Sequence, residues 1–215
     1  LLSPGVLTRQ TCLRAGTVAA SWSERGRDRL DREKGSGMSK RVTWRDWGSG
    51  GVRVLFGIIW AVDAWLKWQP GFRATFLPKM ISTAAAEPSW LKWWFDFVLA
   101  LERAAAALFV YVGATVETAL AITLILGVGR RVVFAGGALY SLMIWCTAEG
   151  FGAPYGPGAT DIGPGIIYAL VFLTLLMMLE HGHSSLLALD AVITPRYRWW
   201  SKFSGPLDPG PTVAK

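Results

Sequence analysis

AAAALFVYVGATVETALAITLILGV, residues Ala104 to Val128, decides the fold class. It holds one charge, Glu117, in an otherwise apolar run. A bilayer's hydrocarbon core, about 30 Å thick, is crossed by roughly 20 apolar helical residues, so this run is long enough. Nothing in it alternates with the period of two that a membrane strand requires. Working outward, three more runs follow the same pattern. Val132 to Ala148 and Ile162 to Leu179 contain no charge, and Gly51 to Trp68 contains Arg53, Asp63 and Lys67. Gly163-Pro164-Gly165 opens the last run, at a point where proline forfeits no helix hydrogen bond. The expectation is an all-α fold: a polytopic membrane four-helix bundle over residues 38–183.

Composition agrees. Of 215 residues, 52% are hydrophobic and 17% charged, below the roughly 25% usual in soluble domains. Aromatics make up 13%, with 12 Trp, which suits rings placed at the two membrane interfaces. The net charge of +7 lies largely before residue 54, after residue 195 and at Arg130-Arg131. Because it flanks apolar runs, it reads as topology information and argues against a nucleic-acid partner. Cys12 and Cys146 are far apart, so the chain alone has no CxxC pair and no zinc-type cluster. His181 and His183, two residues apart, would not share a helix face, so no metal site is expected.

Residues 1–37 are polar, Arg-rich and without an apolar core long enough for a signal peptide. Glu33-Lys34-Gly35 uses purine-rich codons, which fits a ribosome-binding site ahead of Met38. The segment is therefore expected either to lie upstream of a native start at Met38 or to be a disordered tail.

Lys and Arg concentrate in cytoplasmic loops, and that rule orients the bundle. Lys40, Arg41, Arg45 and Arg53 accompany the start of the first run, Arg130 and Arg131 separate the second and third, and Arg196, Arg198 and Lys202 follow the fourth. All three groups are placed inside, with both termini cytoplasmic. The loop from Phe151 to Thr160 has no Lys or Arg and is placed outside. In the long first loop, Pro88-Ser-Trp-Leu-Lys-Trp-Trp-Phe-Asp-Phe interleaves rings and charges as an interfacial helix does. A continuous helix from Ser89 to Val128 would reach about 60 Å, twice the bilayer core, so its first part must lie on or above the membrane. Residues 184–215 are expected to form a cytoplasmic interfacial helix, Ser184 to Val192, and a tail anchored by Arg196-Tyr-Arg-Trp-Trp.

Ionisable groups inside hydrocarbon are rare and usually face the bundle interior. Asp63 and Lys67, at i, i+4, share a helix face and form either a self-neutralising pair near the outer interface or part of a site. Glu117 has no basic residue within a turn and requires a partner from another helix, either as helix–helix glue or as a proton carrier. Gly113, one turn earlier, leaves room for a close approach on the same face. Glu149 and Asp161 bracket a Gly- and Pro-rich loop that contains Tyr155, and Thr160 or Asp161 can cap the fourth helix. The proposed topology sends Asp63, Lys67, Glu117, Glu149 and Asp161 to the outer half of one bundle, with Trp68 and Tyr155 beside them. These seven are the binding candidates.

Arg53 to Phe72 (RVLFGIIWAVDAWLKWQPGF), Ala148 to Tyr155 (AEGFGAPY) and Ala159-Thr-Asp-Ile-Gly resemble the DoxX/DoxD family of membrane proteins, over about residues 51–180. The resemblance implies a four-helix membrane bundle. It also implies, for some members, a small subunit of a thiosulfate:quinone oxidoreductase or a partner of thiol- and superoxide-detoxifying enzymes. It carries no established catalytic residue onto this chain.

Three functions follow as alternatives. The first is a membrane subunit of a quinone- or thiol-linked redox complex in the bacterial plasma membrane, binding a quinone headgroup or small sulfur species. No motif for haem, flavin, nucleotide or an iron–sulfur cluster is evident, so electrons would come from a soluble oxidoreductase partner. The second is a non-catalytic anchor or assembly partner. The third is a small proton or solute carrier, although no internal repeat is visible.

Overall fold

The computed structural model describes residues 44–152, 162–181 and 188–205, with side chains from Gly48 onward. Residues 1–37, Tyr155, Thr160, Asp161 and His183 lie outside the described residues. The described part is all-helical. Helix α1 is Trp44–Lys67, α2 Pro70–Ala86, α3 Lys92–Leu126, α4 Arg130–Cys146, α5 Pro164–Glu180, α6 Asp190–Arg196 and α7 Ser201–Ser204. Short 3₁₀ turns precede α3 at Ser89–Leu91, follow α4 at Gly150–Gly152 and precede α7 at Arg198–Trp200.

Two helical stretches, Gly48–Lys67 and Ser89–Leu126, are long and apolar enough to cross a membrane. Helix α5 is apolar but has 17 residues. The helix expected to begin near Ser89 does run on to Leu126, and it breaks at Ala105, whose backbone (φ −146°, ψ 40°) is not helical. This break separates the Trp-rich first part from the apolar run. The first loop is more ordered than its sequence suggested: α2, opened by Pro70 at its first turn, packs Met80 against Val98 and Leu99 of α3.

Each long helix buries one stripe. On α1 the buried positions include Arg53, Phe56, Trp60 and Ala64, and on α3 after the break at Ala105 they are Val110, Ala114, Glu117, Leu120, Ala121 and Leu124. The spacing of three and four is that of a single helix face. α4 contributes Phe134 and Ala138, and α5 contributes Phe172, Leu175 and Leu179, to the same core. Trp60 lies at ring-centroid distances of 6.0 Å from Tyr140, 5.5 Å from Tyr168 and 5.8 Å from Phe172. The opposite faces are apolar too. Leu55 on α1, Leu108 on α3, Leu139 on α4 and Leu170 on α5 are all more than half exposed. Helices apolar all round suit a non-aqueous surrounding.

The turn between α3 and α4 shows how one end closes. Gly127 ends α3 in the left-handed region (φ 67°) and Gly129 starts α4 there (φ 61°), conformations that a residue with a Cβ rarely adopts. Arg53 of α1 donates to the carbonyls of Leu124 and Ile125, which the helix end leaves without intrahelical partners. Asp190, fully buried, accepts from the Gly129 and Arg130 backbone N–H groups (2.9 and 3.1 Å), Arg130 Nε (3.1 Å) and Trp200 Nε1 (2.8 Å). Its carboxylate thus caps α4 and pins the C-terminal segment to the bundle.

Candidate functional site

Toward the other end, one side chain or more from each of α1, α3, α4 and α5 meets in the interior. Lys67 Nζ forms an ion pair with Glu117 Oε1. Tyr140 on α4 donates to the same oxygen at 3.2 Å. Asp63, one turn before Lys67, lies within electrostatic reach of Lys67 and of the Tyr168 hydroxyl on α5. Two carboxyls thus face one ammonium, so the charge-neutral form of the network carries one further proton.

The helices put these groups together through spacing. Arg53, Trp60 and Lys67 stand seven residues apart on α1, two turns each, on the stripe that faces α3 and the core. Glu117 lies on the buried stripe of α3, with 1% of its side chain exposed, and Lys67 reaches in from a position that is 25% exposed. Tyr140 approaches over Gly113, where an added Cβ would lie 3.5 Å from its hydroxyl. The expected close approach at Gly113 is therefore filled by a tyrosine of the neighbouring helix.

The self-neutralising Asp63–Lys67 pair is corrected. Lys67 turns across to α3, because an unpaired carboxylate as buried as Glu117 is far more costly than one at the only partly buried position of Asp63. Glu117 does find its partner on another helix, as its isolation in the sequence required. Glu149 is engaged elsewhere: its Oε2 accepts from the Gly165 backbone N–H at 2.8 Å and serves the first turn of α5. Gly165 makes this possible, since a Cβ there would lie 2.9 Å from both that oxygen and the Ser141 carbonyl. Trp68 lies at the rim, 47% exposed, donating to Thr118 Oγ1 at 3.1 Å and packing on Tyr111. Asp161 and Tyr155 fall outside the described residues.

Sequence reasoning missed Trp60, Tyr140 and Tyr168. Trp60 was legible in the seven-residue spacing with Arg53 and Lys67, whereas the tyrosines sit in runs whose apolar composition hides a hydroxyl. The arrangement leaves two buried polar atoms without a partner among the described residues. Glu117 Oε2 has none, and neither has Trp60 Nε1, on side chains each 1% exposed. A buried acceptor and a buried donor are thus left open among the aromatic side chains of the interior. Trp60 Nε1 could donate to a quinone carbonyl, and Glu117 Oε2 could accept from a quinol hydroxyl. Among the described residues there is no group of three or more His, Cys, Asp or Glu placed to hold a metal. Cys146 carries a free thiol.

Burial also raises the Glu87 carboxyl above the ordinary glutamate range, in the connection between α2 and the 3₁₀ turn. It sits over Gly150, and neither oxygen has a hydrogen-bond partner among the described residues. No family model, curated protein or solved structure matches this chain.

Proposed function

We propose that the chain is a DoxX/DoxD-like integral protein of the bacterial plasma membrane, with four spanning helices and both termini in the cytoplasm. It acts as the membrane subunit of a quinone- or thiol-linked redox complex. Helices α1, α3, α4 and α5 are the spans, and the long apolar faces of all four support this. The observation that carries the functional reading is the pair of open polar atoms, Glu117 Oε2 and Trp60 Nε1, inside an aromatic-lined network of two carboxyls, one ammonium and two tyrosines. When bound, a quinone would supply the two-electron chemistry. The chain's own residues orient its oxygens and exclude water, and Glu117 and Asp63 hold the additional proton of the neutral network. Electrons arrive from a soluble oxidoreductase partner.

The test is extraction. Protein purified in mild detergent should carry quinone, and Glu117→Gln and Asp63→Asn should lose it while keeping the wild-type helical spectrum. Quinone retained equally by both variants would overturn the assignment of the site.

A non-catalytic anchor is the second reading, favoured by a specific observation. The Lys67–Glu117 pair and the Glu149 bond to Gly165 satisfy charges internally, as a purely structural network would. A tight soluble partner that co-purifies with no bound quinone would favour it.

A further inference from the structure

The C-terminal segment that Asp190 pins down is a preorganised platform. Besides the Asp190 clamp, Leu189 N–H donates to Leu126 O at 3.0 Å and Asp190 N–H to Gly127 O at 3.1 Å. Thr194 and Ser204, both buried, share a hydrogen bond at 3.1 Å that folds α7 back on α6. Asp190, the carboxylate of this segment, is consumed by Arg130 and three further donors. Arg196, Arg198 and Lys202 are exposed and have no ion pair or side-chain hydrogen bond among the described residues.

Trp199 and Phe203, four positions apart, touch ring to ring at 5.9 Å. Positions four apart therefore share a face here, and Arg198 and Lys202 share the adjacent one. Trp199 is 60% exposed and Phe203 41%. Rings and cations thus stand side by side on a segment whose backbone is already fixed.

We infer that this platform binds anionic phospholipid headgroups of the leaflet at the Arg-rich end of the bundle. The phosphodiester meets Arg198 and Lys202, and the glycerol and upper acyl region meet Trp199 and Phe203. The inference rests on the membrane reading above. An aromatic and basic surface is the pattern of interfacial anchoring, and unpaired cations add selectivity for negative lipids. Because the segment is held in place before lipid arrives, little ordering entropy opposes binding.

Each cation near an anionic membrane surface changes affinity roughly fivefold, so removing two changes it about thirtyfold. The test uses the full chain in neutral detergent, titrated with phosphatidylglycerol or phosphatidylcholine and read by native mass spectrometry. Wild type should retain phosphatidylglycerol preferentially. Arg198→Gln with Lys202→Gln should weaken that retention about thirtyfold, and Arg198→Lys with Lys202→Arg should restore it. Equal retention of the two lipids by wild type, or unchanged retention by the double glutamine variant, would overturn the inference. An alkaline wash of native membranes separates the two levels. Protein that stays in the pellet without lipid preference defeats only the lipid site, and protein that is stripped off defeats the membrane reading with it.

Discussion

Replacing Lys67 by methionine removes the one cation that Glu117 meets among the described residues. The partner left behind is a carboxyl that is 1% exposed, with Oε2 already unpartnered. Breaking a buried pair from one side costs about 3 to 5 kcal/mol. Lys67 is 25% exposed, so solvent already screens part of the interaction and the lower bound, about 3 kcal/mol, applies. Glu117→Met is milder, about 1.5 kcal/mol, because Lys67 can turn to water and Tyr140 keeps the Gly113 carbonyl within 3.5 Å. The double variant has no buried charge to strand, and should also lie about 1.5 kcal/mol below wild type. The coupling energy of the cycle is then about 3 kcal/mol. Thermal unfolding in detergent, followed by intrinsic fluorescence, reads it. Lys67→Met should melt about 6 to 12 °C below wild type, and the double variant should recover about half of that loss. If Lys67→Met melts with the wild type, or if the two single losses add in the double variant, the pair does not hold these helices together.

Asp190→Ala strands four donors at once, and should destabilise by about 3 to 5 kcal/mol while opening the chain after residue 188 to limited proteolysis; unchanged protease resistance would refute the clamp. Gly165→Ala places a Cβ against the Ser141 carbonyl, a backbone atom that cannot move aside alone, so α4 and α5 must separate at about 1 to 3 kcal/mol; an unshifted melting temperature would contradict that contact. Glu87 has a raised pKa, so its contribution is favourable below the ordinary value of 4.5 and is lost as pH rises through the folded value. Glu87→Gln should therefore raise the melting temperature at neutral pH and leave it unchanged in acid, and a gain independent of pH would refute burial as the cause.

The apolar runs made the helices of the bundle legible in the sequence because burial and lipid exposure both select apolar side chains. Glu117 stood out for the converse reason, as a lone charge that had to find a partner. What the runs could not reveal was which side chains face inward. Lys67 was assigned to its nearest acid along the helix, Asp63, because sequence distance is visible and the depth of Glu117 is not. Tyr140 and Tyr168 count as apolar until a neighbouring helix presents a carboxylate. Asp190 lies in a polar segment where an acid draws no notice, and its role depends on a turn more than 60 residues earlier in the chain. Helix α2 escaped because Pro70 and Pro78 punctuate the first loop, although proline at a first turn starts a helix as readily as it ends one.

The most direct measurement is sidedness. With both native cysteines replaced, single cysteines at Val128 and at Tyr155 would be labelled in sealed, right-side-out vesicles with a thiol reagent that does not cross the bilayer. Four spans and a buried network toward the non-cytoplasmic half predict labelling at Tyr155 from outside, and at Val128 only after the vesicles are opened. Labelling of both positions from the same side would contradict the topology, and the membrane site with it.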